Sequence, residues 1–274
     1  GIPLIKEGRN LGVKALLKVA GIDPKGITEE DIGFQISPRI NAAGRMQHAG
    51  IAVELFLSED SQKAEELAKK LDELNEERRR VGDAMLEEAE ALVKEREEGP
   101  ILLFRPHWHQ GIIGITAGRL CEKYKVPAIM MTLKEDGETV VGSARSIEGV
   151  NIFEVLQECQ DYLVGFGGHA GAAGISLRLD ELDAFVDACS KVIEKRMPKL
   201  KSTPDSFDLE YPIEDVDETF YYELRRIAPF GEGWPEPVFY CPNVEVITAR
   251  PITSQQHYRL VVSHGKQNLS ALWW

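Results

Sequence analysis

Four short stretches of this chain hold residue types that bind anions. GSARS (142–146) sets Arg145 between the hydroxyls of Ser143 and Ser146. A planar guanidinium can donate two parallel hydrogen bonds, so with hydroxyls beside it Arg145 suits a terminal phosphate better than a lysine would. RPHWHQG (105–111) puts His109 and Gln110 between an apolar run, ILLF, and a helix-like segment, IIGITAGRL. A strand, a glycine-containing turn and a helix in that order present free backbone N–H groups to an anion; His109 would either bond that anion or cap the helix. PRINAAGR (38–45) carries Arg39, Asn41 and Arg45. In GFGGHAGAAG (165–174) five glycines surround one histidine, His169. Glycine at that density points to a turn with positive φ or a close backbone approach, with His169 either facing a ligand or a hydrogen-bonded bystander.

The formal net charge of −13 argues at first against a polyanionic partner. Its distribution reverses that reading. Residues 32–53, 99–121, 139–147 and 162–179 contain no Asp or Glu, and their fixed charges are Arg39, Arg45, Arg105, Arg119, Arg145 and Arg178. Apolar cores exclude carboxylates anyway, which accounts for ILLF and YLVGF and accounts poorly for three polar, arginine-bearing motifs. If the four stretches converge, arginines and backbone N–H groups make an anion site inside an acidic molecule.

Catalytic machinery is not visible. The anion-facing motifs hold no carboxylates for Mg²⁺ or Mn²⁺, His107 and His109 have no third ligand nearby in sequence, and no nucleophile stands with a base. Cys121, Cys159, Cys189 and Cys241 lie 30 or more residues apart, which fits reduced thiols rather than a CxxC metal site or a disulfide framework. No run approaches the roughly 20 apolar residues that span a bilayer, and GIPLIKEGRN lacks the pattern of a signal peptide. The expectation is a cytoplasmic protein with no membrane partner.

The elements that must position these motifs read as α/β. From Ser58 to about Glu97 apolar residues recur at helical spacing without proline, predicting one long helix, or two, that links two bodies. NEERRR (75–80) within it reads as solvated helix surface. Strands follow at 101–104, 127–133 and 139–145, with a helix at 111–124 and a hairpin turn at EDGE (135–138). A helix over 151–163, a glycine loop, a strand at 174–179 and a helix over 181–197 complete the unit. PKLKSTPDS (198–206) has the composition of a linker. Beyond it come a helix near 220–227, a turn at 229–237 and short strands, the start of a small β-barrel that stops in mid-pattern at LSALWW, as a fragment would.

GGHAGAAG resembles the glycine-histidine signature of the DHH-associated domain, and PRINAAGRM, HQGIIGITAGRL, GSARS and APFGEGWPEPVF, in this order, resemble the RecJ family of single-strand-specific 5′-to-3′ exonucleases in the DHH phosphoesterase superfamily. That resemblance implies a DHH-domain tail at 1–57, a long connecting helix at 58–98, a DHH-associated domain at 99–200 and an incomplete oligonucleotide-binding (OB) fold at 201–274. It implies Mg²⁺ or Mn²⁺ for the full-length enzyme, held by ligands ahead of Gly1, with no metal bound and no catalytic residue in this chain. The partner implied is single-stranded DNA, in repair and recombination, alongside other DNA-repair proteins. Gly167 and Gly168 would let a strand approach, His169 would bond a phosphate near the scissile bond, and Arg145 with Ser143 would hold the 5′ phosphate. Arg39, Asn41 and Arg45 would face the same cleft. An oligoribonuclease, a cyclic-dinucleotide phosphodiesterase and a non-enzymatic nucleic-acid-binding module are the competing readings.

Overall fold

The computed structural model describes residues 1–95, 99–197, 206–231, 233–252, 257–265 and 267–273, which fall into two compact units, Gly1–Lys199 and Leu200–Trp274. The first unit opens with helices α1 (Ile2–Lys6), α2 (Leu11–Ala20), α3 (Glu29–Asp31), α4 (Ser37–Met46) and α5 (Gly50–Leu57), with a π-helical turn over Ile32–Ile36 leading into α4. The long helix is single: α6 runs Ser61–Lys94, 34 residues or about 51 Å. Asp60 starts it by accepting from the N–H groups of Gln62 and Lys63. Its first half buries Ala64, Ala68 and Leu71 among Leu16, Leu17 and Leu55, while its second half buries Met85 and Ala89 in a different core. One helix therefore serves two cores, which is what its length demanded.

The second core belongs to a five-stranded sheet: β1 (Ile101–Phe104), β2 (Ala128–Leu133), β3 (Thr139–Arg145), β4 (Gly165–His169) and β5 (Ala172–Arg178), in the order β1-β2-β3-β5-β4. β1 and β2 are parallel, joined through α7 (Ile113–Tyr124); the other pairs are antiparallel. Between β3 and β4 lies α8 (Ile152–Glu158), begun by Asn151, and α9 (Leu182–Arg196) follows β5. Alternation sends Leu102, Ile129, Met131, Val140, Ala144, Ile175 and Leu177 to one face, where Phe185, Cys189 and Ile193 of α9 and Val155 of α8 complete a core. Ile101, Leu103, Ala128 and Met130 point the other way, under α7 and α6.

Two expectations need correction. The glycine run is a hairpin rather than a loop: β4 and β5 pair from Gly165↔Ser176 to His169↔Ala172 across a two-residue turn, Ala170-Gly171, and β5 pairs in turn with β3. Helix 151–163 stops at Glu158 and continues as a 3₁₀ turn over Gln160–Tyr162. The linker expected at 198–206 lies outside the described residues except for Ser206.

In the second unit β6 (Leu209–Glu210) pairs in parallel with β7 (Phe239–Tyr240), and α10 (Glu218–Arg226) lies between them in sequence, capped by Asp217. At this pairing Tyr211 stacks on Phe220, and Phe239 meets both rings edge-on. Strands β8 (Glu245–Ile252), β9 (His257–His264) and β10 (Gln267–Trp273) form an antiparallel meander.

Gly168 has φ +151°, and a Cβ there would run into the backbone of Ala172 and Ala173, whereas a Cβ at Gly167 meets open space. Gly168→Ala should lower unfolding free energy by about 1–3 kcal/mol, and Gly167→Ala should stay within about 0.5 kcal/mol. Chemical denaturation compares them, and equal losses would contradict the hairpin geometry.

Candidate functional site

The register of the sheet assembles the site. Arg145, Ala172 and His169 pair across β3, β5 and β4, so all three side chains share one face and one row; Ser143, Gly174 and Gly167 form the next row, and Val141, Ser176 and Gly165 the third. Strand spacing puts Arg145 and His169 roughly 10 Å apart along that row. On this face α7 lies over β2 and β3 and α6 over β1, above the apolar side chains of Ile101, Leu103, Ala128 and Met130. Over β5 and β4 the side chains shrink to glycine, alanine and serine as far as His169, which leaves a bare shelf beside the helix, edged by Ser143 and Arg145 of β3. The glycines therefore clear one side of a sheet.

A hollow of about 610 Å³ opens where the shelf meets the N-terminus of α7 and the end of α4. Its wall holds six glycines, Ser143, Ser176, Gln110 and two charged residues, Arg45 and Arg145, with no carboxylate. Close packing makes this convergence possible. A Cβ at Gly111 would collide with the backbone of Arg45, and a Cβ at Gly114 would lie 2.8 Å from Ser143 Oγ and 3.1 Å from Arg145 Nη2. Arg45 donates from Nη1 to the Gly111 carbonyl at 3.2 Å. Arg145 donates from Nη1 to Ser143 Oγ at 3.0 Å and to its neighbour's carbonyl, Ala144, at 2.7 Å. Burial first, and the Arg45 charge second, push the Arg145 guanidinium below its ordinary pKa. Two guanidiniums brought together with neutral acceptors attract an anion.

The other arginines of the carboxylate-free stretches are paired with acids that lie outside those stretches. Arg39 bonds Asp72 on α6 at 2.8 Å and the Gln35 carbonyl at 2.8 Å, and it does not line the hollow. Arg119 bonds Asp83, and Arg178 bonds Asp180. Arg105, His107 and Trp108 all converge on Glu88 of α6, at 3.3, 3.0 and 2.7 Å. Burial would raise the Glu88 carboxyl; the bonds from Trp108 and His107 and the charges of His107 and Arg105 hold it below its usual value. RPHWHQG thus fastens the sheet to the long helix. His109 faces the turn ahead of α7, where its Nδ1 accepts from the Gly111 N–H at 3.1 Å. His169 is exposed at the end of β4, its Nδ1 accepting from the Gly171 N–H at 3.2 Å. Ser146 donates to the Val150 carbonyl, and Asn41 is exposed on α4. Gly114 and Ser176 carry no motif that marks them in the sequence; a glycine in the first turn of a helix is the one available signal for Gly114.

Among the described residues no group of three or more His, Cys, Asp or Glu stands close enough to hold a metal ion, and no helix is long and apolar enough to cross a membrane.

Comparison with known proteins gives a consistent result. Residues 98–195 match the DHHA1 domain, and residues 207–274 match the RecJ OB domain. The single-stranded-DNA-specific exonuclease RecJ of Bacillus subtilis is 33% identical over 99% of this chain and 35% of its own length; that of Escherichia coli is 34% identical over 87% of this chain and 43% of its own. The chain spans less than half the length of these relatives. Crystal structures of Thermus thermophilus RecJ superpose with TM-scores of 0.83 (Mn²⁺ complex) and 0.80 (Mg²⁺ complex), both at 26% identity, covering 99% and 95% of this chain and 40% of theirs.

The contrast between Arg39 and Arg45 is measurable without any ligand. The Arg39–Asp72 pair is 13% and 26% exposed, so Arg39→Ala leaves a poorly solvated carboxylate and should cost about 1–3 kcal/mol. Arg45→Ala should stay within about 0.5 kcal/mol. Thermal unfolding of the two variants checks this, and a reversed order would mean that Arg45 is the structural arginine.

Proposed function

This chain carries the DHHA1 and OB domains of the RecJ family, and from that premise we propose that it is the substrate-binding portion of a single-stranded-DNA-specific 5′-to-3′ exonuclease acting in the cytoplasm in DNA repair and recombination. In this reading residues 1–57 end a DHH domain, 58–98 connect, 99–200 form the DHH-associated domain and 201–274 the OB domain. The observation that carries the proposal is the Arg45 and Arg145 pair, two guanidiniums with neutral hydrogen-bond partners at the edge of a sheet face cleared of side chains.

A terminal phosphate is a better occupant of that corner than an internal one. A phosphomonoester carries close to two negative charges at neutral pH and offers three terminal oxygens, whereas a backbone diester carries one charge. Arg145 is held in place by Ser143 and the Ala144 carbonyl, so its remaining donors are preorganised rather than recruited. The shelf of Gly167, Gly174 and Ala172 lets the following nucleotides lie against backbone, and His169 at the far end of the Arg145 row is within one nucleotide's reach of the same strand. The net charge of −13 discourages polyanions elsewhere on the surface and confines binding to the cleft.

Related RecJ structures contain Mg²⁺ or Mn²⁺. The described residues of this chain do not fit such an ion, so the proposal assigns metal-dependent hydrolysis to the complete protein and strand binding to the residues named here. The chain by itself should release no mononucleotides from single-stranded DNA with either metal. Metal-dependent release that disappears on substitution within this chain would contradict the assignment.

Arg145→Ala should weaken binding of 5′-phosphorylated single strands more than of 5′-hydroxyl strands, by about 1.5–3 kcal/mol, the worth of a charge-assisted hydrogen bond. Fluorescence anisotropy with both oligonucleotides measures the difference. Equal losses on the two strands would reject the terminal-phosphate role.

A further inference from the structure

NEERRR (75–80) reads in sequence as solvated helix surface, and for Glu76, Glu77, Arg79 and Arg80 the structure agrees. Asn75 and Arg78 are different. Asn75 is 1% exposed and Arg78 is half-buried, one turn apart on α6. The Nε and Nη2 of Arg78 both donate to Asn75 Oδ1, at 3.2 and 3.0 Å. Asn75 Nδ2 is buried with no hydrogen-bond partner. A buried amide left half satisfied costs stability and calls for a reason.

The position of the pair supplies one. Gly82, one turn further along α6, lies against Ile112, with 3.6 Å between its Cβ position and Ile112 Cγ2, and the adjoining Gly111 abuts the backbone of Arg45. Arg78, one turn before Gly82, is near enough to Arg45 for that charge to act on it, although it does not line the hollow itself. Burial, then the charges of Arg79, Arg119 and Arg45, lower its pKa, while the carboxylate that acts on it, Asp83, is bonded to Arg119. Arg39, Arg105, Arg119, Arg178 and Arg196 of this unit are bonded to carboxylates, whereas Arg45, Arg78 and Arg145 are held by carbonyl, amide and hydroxyl oxygens. An asparagine oxygen fixes the guanidinium fork without cancelling its charge. An aspartate in its place would form an ion pair.

We propose that the Asn75–Arg78 pair is a second phosphate site of the cleft, contiguous with Arg45, where Arg78 bonds a backbone phosphate of the strand and Asn75 positions it. The proposal rests on reading the cleft as a single-strand site and adds a residue from the connecting helix to the grip. Arg78 contacts an internal diester, so its contribution is independent of the strand's 5′ end.

The test is the salt dependence of oligothymidylate binding by the whole chain, with 5′-phosphate and 5′-hydroxyl strands in parallel. One phosphate contact to a single strand contributes about 0.7 to the slope of log K against log salt. Arg78→Gln should lower the slope by about that amount on both strands, and Arg78→Lys should restore it. Asn75→Asp should lower it as well while leaving the thermal midpoint at or above the wild-type value, because it pairs Arg78 without removing it. Unchanged slopes in Arg78→Gln and Asn75→Asp, with 5′-phosphate discrimination by Arg145 intact, would overturn this proposal alone. A loss confined to 5′-phosphorylated strands would also overturn it and move Arg78 into the terminal site. Absence of salt-dependent binding by the wild-type chain would sink the single-strand reading together with it.

Discussion

The end of α4 and the turn ahead of α7 touch backbone to backbone, because Gly111 has no side chain to hold them apart. The helical and sheet-bearing parts of the first unit would separate at this corner if any other residue stood there. The contact sets Arg45 beside Arg145, although the two are 100 positions apart in sequence, and the Arg45 guanidinium closes it by donating to the Gly111 carbonyl. The long helix α6 supports the same arrangement from behind. It fills one core with Ala64, Ala68 and Leu71, fills another with Met85 and Ala89, and draws Arg105, His107 and Trp108 onto Glu88. Interiors packed in this way shift little, so the two guanidiniums are held near each other whether or not an anion lies between them.

The sheet contributes by what it leaves out. One face of β1, β2 and β3 lies under α6 and α7, and the same face of β5 and β4 carries glycine, alanine and serine as far as His169. A strand resting on such a surface meets peptide groups at close range. The opposite face is fully packed by α8 and α9, so the bare shelf is backed by a rigid core. Charge works in the same direction. Arg39, Arg105, Arg119 and Arg196 are neutralised by acids brought in from distant positions, and Arg45, Arg78 and Arg145, held by uncharged oxygens, gather at one corner of an acidic molecule.

Much of this was legible in the sequence where local pattern carries the information. The apolar spacing from Ala64 to Leu92 marks α6, the runs ILLF and AIMMTL mark buried strands, and EDGE marks a hairpin. GFGGHAGAAG is harder, because strand periodicity is read from side chains and a strand made largely of glycine has almost none; the pairing of β4 with β5, and of β5 with β3, supplies the extended form. The carboxylate-free stretches contain both arginines that line the hollow, and they overcount the free cations. Arg39, Arg105, Arg119 and Arg178 meet Asp72, Glu88, Asp83 and Asp180, and three of those four acids lie on α6, outside the stretches altogether. The three long-range pairs leave no local mark, whereas Asp180 stands two residues after Arg178. Arg78 was hidden for the converse reason, since its exposed neighbours in NEERRR make the whole run look solvated.

The central claim is that Arg45 and Arg145 form a vacant-charge corner for the 5′ end of a single strand. A crystal structure of this chain with a 5′-phosphorylated thymidine trinucleotide tests it most directly. The account predicts the terminal phosphate within about 2.7–2.9 Å of Arg145 nitrogens, with Arg45 on its other side and the sugar-phosphate chain running over Gly174 and Gly167 toward His169. A trinucleotide bound elsewhere on the first unit, with Arg145 still bonded to Ser143 and Ala144 alone, would contradict it.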